Sequence, residues 1–134
     1  MAISILNIFN NHFLELIEDV ERVFPDEVDL KSAKNIVLSI KKANPRIVPN
    51  VWYKYVAGPY RQQVESGDCD FFINKDYSQD LSNHSHGDKI LEVINKIRTP
   101  IKNMCREDQI KTMKYVQNLS RLCYDYSDQL IISS

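Results

Sequence analysis

The stretch DCDFFINKDYSQDLSNHSHGD, residues 68 to 88, brings together five aspartates, one cysteine and two histidines. Carboxylates and imidazoles are common ligands of protein-bound metal ions. Zinc sites typically use four ligands, whereas His84 and His86 supply two from one short segment. Asp68 and Asp70 begin the alternation of a calcium loop, but residues 71–73 are apolar and interrupt it. The pattern therefore predicts no metal site.

Motifs of the common enzyme classes are also missing from the sequence. It contains no HExxH, no GxSxG, no glycine-rich phosphate loop and no evident Cys-His-Asp arrangement. Asp76 and Asp80 are spaced to share one face of a helix, but surface carboxylates often have this spacing. We therefore expect a protein with no catalytic residues, no cofactor and no small-molecule substrate.

The same stretch is better explained as a connector between two halves of a helical protein. Phe71, Phe72 and Tyr77 each carry a large apolar area that would anchor it to a core. We expect a short turn of helix over residues 70–74, followed by a flexible loop over residues 80–88.

The elements that would position this connector are predicted to be amphipathic helices. Only three glycines are present, which argues against the tight turns of β-hairpins. Apolar periodicity and helix-ending residues predict a first helix over residues 4–24, ending at Pro25, and a second helix that is capped by Asp29 and ends at residue 43. A third helix is predicted over residues 49–66, broken at Gly58-Pro59 and ending at Gly67. A fourth helix begins at Asp88 and is bent in its middle by Pro100, and a last helix begins at Cys105.

The cleanest pattern in the chain is a row of isoleucines in the second half. Ile90, Ile94, Ile97 and Ile101 follow the 4, 3, 4 spacing of a packed helix seam. Such a seam packs either inside the chain or against a second copy, so these four residues are also a possible interface. The last helix has a comparable stripe, consisting of Ile110, Met113, Val116, Leu119, Leu122, Cys123 and Tyr126.

Length and composition indicate one domain. A chain of 134 residues with 43% hydrophobic and 26% charged residues is an ordinary globular sequence. We predict an all-α fold, a single compact bundle of about five helices over residues 1–134 with kinks near Pro59 and Pro100 and a frayed tail at 128–134.

The sequence has no basic leader, no long apolar run and three cysteines without CxxC spacing, so we expect a soluble intracellular protein with reduced thiols.

Charge is distributed in blocks along the chain. Residues 1–30 have a net charge of −6, residues 31–63 of +7, residues 64–88 of −5 and residues 89–121 of +5. Oppositely charged helices attract one another, so this pattern is compatible with helix pairing inside the fold.

The basic block also allows a nucleic-acid-binding face. Its seven cations are Lys31, Lys34, Lys41, Lys42, Arg46, Lys54 and Arg61. Trp52, Tyr53, Tyr55 and Tyr60 lie among the last of these, and exposed aromatic rings would let bases stack. Trp52 and Tyr55, however, also fit the apolar stripe of a helix, a position more typical of core residues.

Four segments of the sequence resemble a family of short proteins encoded by large nucleocytoplasmic DNA viruses, including mimivirus-like and algal viruses. They are KKANPRIVPNVWYKYV, GDCDFFINKDYSQDL, ILEVINKIRTPIKNM and KYVQNLSRL. The similarity runs from about Phe13 to Tyr124 and departs at Gly58-Pro59 and at residues 84–86. The resemblance implies a protein of the infected host cell's cytoplasm or of the virion, and it assigns no catalytic or binding residue.

Three functional hypotheses follow from these observations, and the third, an enzyme of unrecognised type, would require a deep pocket over Asp70, Asp76 or His84. The first is a non-enzymatic helical interaction module, a small virion, assembly or scaffold protein that binds another viral or host protein or itself. The second is an accessory protein that binds nucleic acid through the basic segment 31–63. A membrane partner is not expected.

Overall fold

The computed structural model describes residues 5–75 and 86–125, and for residues 86–88 it describes the backbone alone. Within these ranges the chain forms seven α-helices and one π-helical turn, and no strand. In chain order the elements are α1 (Ile5–Val23), α2 (Val28–Ala43), α3 (Ile47–Trp52), the π-helical turn (Tyr53–Ala57), α4 (Arg61–Glu65), α5 (Cys69–Asn74), α6 (His86–Lys102) and α7 (Arg106–Asp125). The all-α class predicted from the sequence is confirmed.

The four long helices pack together into one bundle, on which the short elements lie. α1 packs against α2 and α7, and α2 packs against α6. α3 contacts α6, the π-helical turn contacts α7, and α4 and α5 rest on α7 and α6 respectively. Each long helix is stable in this setting because it buries one apolar face against its neighbours.

An aromatic cluster lies at the centre of the bundle. Trp52 is fully buried, and its ring lies 5.8 Å from Phe13, 6.5 Å from Phe9 and 6.3 Å from Phe72 between ring centroids. Its indole Nε1 donates a hydrogen bond of 3.0 Å to Ser120 Oγ on α7. Trp52 is therefore a core residue, as its place in the apolar stripe indicated.

The isoleucine seam of α6 faces the inside of the chain. Ile90, Ile94, Ile97 and Ile101 have no exposed surface. In this structure the seam is thus used for intramolecular packing, one of the two arrangements that the spacing allowed.

The predicted third helix is divided into three pieces. α3 is followed by the π-helical turn, in which Gly58 N donates to Tyr53 O at 2.8 Å, and α4 begins after Pro59 and Tyr60. A β-carbon on Gly58 would lie 2.8 Å from Tyr53 O, so this wide turn requires glycine. Since Pro59 has no N–H to donate, the helix is interrupted there, and the predicted break is confirmed.

Helix α4 ends at Glu65, and Gly67 stops it two residues later, as predicted. Gly67 has a φ of 72°, a left-handed conformation that glycine adopts without steric cost. Asp68 N donates to Gln63 O and Gly67 N donates to Val64 O, which together form a Schellman motif. The next helix starts at once, because Asp68 Oδ1 caps α5 by accepting from Phe71 N at 3.0 Å.

Three predicted boundaries are wrong. Asp29 does not cap α2, which begins at Val28, so Asp29 lies in the first turn, where its charge is favourable to the helix dipole. Pro100 lies in the last turn of α6 and not in its middle, because the helix ends at Lys102. Residues 86–88 of the predicted loop belong to α6, while the rest of that loop and the tail 128–134 lie outside the described residues.

The stripe of α7 is partly different from the predicted one. Met113, Val116, Leu119 and Cys123 are buried, but Ile110 is 51% exposed and Tyr126 lies outside the described residues. In addition, α7 buries three polar side chains, Gln109, Thr112 and Ser120. Each of them donates to a backbone carbonyl, of Ile101, Asp108 and Val116 respectively, so its burial leaves no unpaired donor.

Candidate functional site

The acidic stretch after Gly67 has a structural role in its described part. Phe72 is buried against Trp52, and Phe71 lies 4.9 Å from the Tyr60 ring, so α5 is anchored to the bundle. Asp70 is exposed and lies 3.9 Å from Arg106 Nη1. Asp76, Tyr77, Asp80 and His84 and the side chain of His86 lie outside the described residues. Across the remainder, no three histidine, cysteine or acidic side chains come close enough to share a metal ion.

The three cysteines of the described ranges are free thiols, two of them buried. Cys69 and Cys123 are buried, and burial raises the pKa of both thiols, which disfavours the reactive thiolate at neutral pH. Cys105 is exposed at the start of α7, and its thiol donates to Asp108 Oδ2 at 3.4 Å.

Three of the seven cations predicted for nucleic-acid binding donate hydrogen bonds to other side chains of the chain. Lys34 Nζ donates to Glu18 Oε2 at 2.9 Å, and this hydrogen bond raises the pKa of Lys34. Lys41 Nζ donates to Asn11 Oδ1 at 2.9 Å.

Arg61 pairs with Glu65 at 3.0 Å, and its guanidinium lies 4.1 Å from the centre of the Tyr124 ring. These contacts, like those of Lys34 and Lys41, draw each cation toward a neighbouring element.

The other four cations are exposed. Lys54 lies 5.3 Å from the centre of the Tyr55 ring. Lys31, Lys42 and Arg46 pair with no carboxylate among the side chains that the structure describes. Lys31 and Lys42 are eleven residues apart, or about three helical turns, and so share the outer face of α2. The structure therefore brings together only part of the predicted basic face.

The aromatic residues near this segment are partly covered. Tyr53, Tyr55 and Tyr60 are each half-buried, and Tyr60 packs on Phe71. With Trp52 fully buried, the four rings do not form an open stacking surface.

Ion pairs join the oppositely charged blocks of the sequence. Glu18 of α1 pairs with Lys34 of α2, and Asp70 of α5 pairs with Arg106 of α7. Asp19 is 9% exposed and lies 3.0 Å from Lys111 Nζ on α7, while Arg22 approaches the same oxygen at 3.1 Å. The charge blocks thus contribute to helix pairing inside the fold.

A groove between α2 and α6 is a site that the sequence did not predict. It has a volume of about 520 Å³ and is open to solvent. Its lining consists of Val28, Lys31, Ser32, Asn35, Ile36, Ser39, Ile40 and Lys89. We call it the α2–α6 groove. The lining residues of α2 recur every three or four positions beside the core stripe, which is a signal in the sequence, but the opposite wall depends on where α6 packs.

A smaller concavity of about 300 Å³ lies between the same two helices. It is lined by Glu27, Asp29, Asn95, Lys96, Thr99 and Pro100. The beginning of α2 therefore lies beside the second half of α6. Among the described lining residues, carboxylates occur in the smaller concavity and not in the α2–α6 groove.

Comparison of the chain with protein-family models, with curated proteins and with solved structures finds no match. None of the helices within the described ranges is long and apolar enough to cross a membrane.

Proposed function

We propose that this protein is a non-enzymatic helical interaction module that binds another protein. We further propose that it acts as a small virion, assembly or scaffold component of a large DNA virus. This viral setting rests on the resemblance of the four sequence segments given above.

The observation that carries the proposal is the α2–α6 groove. Seven of its eight lining residues lie on one face of α2, and the eighth, Lys89, lies on α6. A groove that combines aliphatic and polar side chains is a common way to receive an amphipathic helix of another protein. Ile40 is buried and Ile36 half-buried, whereas Val28 is 73% exposed. An aliphatic side chain with this exposure beside an open groove gives a partner apolar area to bury.

Nucleic-acid binding is a second candidate function, favoured by the exposed Lys31, Lys42 and Arg46, which pair with no carboxylate of the described side chains. It receives less support because Lys34, Lys41 and Arg61 already contact other side chains of the chain. If phosphate contacts dominate, Lys31→Glu together with Lys42→Glu would weaken binding to all DNA sequences and flatten its salt dependence.

One pair of measurements separates the two candidates. The purified protein is used to select binders from a displayed library of helical peptides, and its binding to duplex and single-stranded DNA is measured at two salt concentrations. We expect saturable peptide binding and no DNA binding at low salt, where electrostatic attraction is strongest. Tight DNA binding that falls steeply with salt, with no peptide selected, would overturn the proposal in favour of the second candidate.

A further inference from the structure

We propose that the α2–α6 groove binds an acidic amphipathic helix of a partner protein. This inference rests on the proposed function and specifies its partner by charge and shape. It is carried by the charge of the groove, by the arrangement of its apolar and polar side chains, and by its length.

Among the residues that the structure describes, the charged side chains that line the groove are all positive. Lys31 and Lys89 are exposed on its lining, which includes no carboxylate from residues 5–75 or 89–125. Lys31 differs from Lys34, three residues later, which pairs with Glu18. Neither Lys31 nor Lys89 pairs with a carboxylate anywhere in the part of the chain that the structure describes. A partner with glutamates or aspartates would supply the missing charges.

The neutral side chains of the groove favour protein over nucleic acid. Val28 and Ile36 present aliphatic surface beside the buried Ile40, and a phosphate backbone does not bury such surface. Ser32 and Ser39 lie between them and offer hydroxyl groups to polar side chains at the edge of a partner helix. Two cations beside an aliphatic base match a helix with one apolar face and acids on its flanks.

The length of the groove fits a short helix. The lining of α2 extends from Val28 to Ile40, which at about 1.5 Å per residue corresponds to roughly 18 Å, or about three helical turns. A partner helix of this length presents apolar residues at positions i, i+3 or i+4, and i+7. We expect acids next to these positions, because they would face Lys31 and Lys89.

The test uses the peptides selected with the full-length protein. Their apolar and acidic positions are read from the sequences, and the tightest binder is titrated into isotope-labelled protein while the amide resonances are followed. We expect enriched peptides to be acidic, and the largest shifts to occur in residues 28–40 and around Lys89. Replacing the acids of the peptide with lysines should weaken binding at least tenfold.

Two independent variants test the groove itself. Lys31→Glu with Lys89→Glu reverses its charge, and Ser39→Phe fills it without touching the core, since Ser39 is exposed. Both should reduce affinity for the selected peptide at least tenfold. The matched controls on α7 are Lys114→Glu with Arg121→Glu, and Asn118→Phe; these positions are exposed and outside the groove, so affinity should stay within twofold.

The outcomes distinguish the inference from the function on which it rests. Peptides that bind but are basic, or that bind the groove variants as tightly as the original protein, would overturn the groove proposal and leave a protein-binding function in place. A selection that yields no binder, together with DNA binding that Lys31→Glu abolishes, would overturn both.

Discussion

At the scale of single residues, buried polar groups are paired with specific partners in α7. Ser120 Oγ accepts the hydrogen bond of Trp52 Nε1 and donates to Val116 O at 2.8 Å. The sequence did not predict that Ser120, Thr112 and Gln109 would be buried, because their hydrogen bonds to backbone carbonyls leave no mark on hydrophobic periodicity. The same periodicity placed Ile110 inward, although it is half exposed.

Replacing Ser120 with alanine should destabilise the fold. The change leaves the buried Trp52 Nε1–H without an acceptor, and such a loss costs about 1–3 kcal/mol. The free energy of unfolding is measured by urea denaturation followed by circular dichroism. Ser39→Ala, at an exposed position, is the control and should change stability by less than about 0.5 kcal/mol. An equal effect of the two substitutions would refute the role of Ser120.

Tyr124 should make stability depend on pH in the alkaline range. Its hydroxyl donates to Ala57 O at 2.8 Å, and burial raises the pKa of Tyr124 from 10.0 to about 12. Between these pH values the unfolded chain loses the phenolic proton while the folded chain keeps it. The stability that Tyr124 contributes is therefore fully present below pH 10 and is lost as the pH rises through about 12.

The test compares urea unfolding at pH 9 and pH 11 for the original protein and for Tyr124→Phe. The variant should lose less stability between the two pH values, because it has no hydroxyl to titrate. It should also be less stable by about 0.5–1.5 kcal/mol at pH 7, since the hydrogen bond to Ala57 is gone. Identical pH dependence in the two proteins would contradict the assignment.

At the scale of elements, the long helices were predictable and the short ones only in part. The apolar spacing of α1, α2 and α6 shows in the sequence because each buries one continuous stripe. The break at Gly58-Pro59 was also visible, since proline lacks an N–H. The π-helical turn before it was not, because the path of the chain from Tyr53 to Gly58 is set by how α3 and α4 pack on α6 and α7.

Substituting Gly58 with alanine tests the π-helical turn. The new β-carbon would lie 2.8 Å from Tyr53 O, so the turn must shift, and such forced contacts cost about 1–3 kcal/mol. Thermal or urea unfolding measures the loss. Alanine at a regular helical position would instead stabilise the chain by about 0.5–1 kcal/mol relative to glycine. A more stable Gly58→Ala variant would thus show that the wide turn is not required.

At the scale of the whole molecule, the sequence predicted the class and the single bundle but not the groove. Ion pairs such as Glu18–Lys34 and Asp19–Lys111 join oppositely charged blocks of the sequence inside the fold. The α2–α6 groove depends on how two helices that are far apart in sequence pack, so the recurring lining residues of α2 do not define it without Lys89 of α6. The spacing of the isoleucine seam correctly predicted that it is buried. The structure shows that the same chain covers it.

The isoleucine seam leads to a prediction about assembly. Because Ile94 is fully buried within the chain, Ile94→Ala should lower the free energy of unfolding by about 2–5 kcal/mol. The substitution should not change the oligomeric state. Light scattering at high concentration should give the monomer mass of 15.7 kDa for both proteins. A dimer that dissociates on Ile94→Ala would instead place the seam between two copies.

The hydrogen bond between Trp52 and Ser120 joins positions 68 residues apart, and α1 packs on α7 across an even longer separation. During synthesis at about 5–20 residues per second, the ribosome therefore needs roughly 3–14 seconds to supply the partner of Trp52. Throughout that interval the apolar face that α1 presents to α7 has no cover from its own chain. We therefore expect the contacts of α1 with α2 and α3, which are synthesised earlier, to cover part of α1 until α7 emerges.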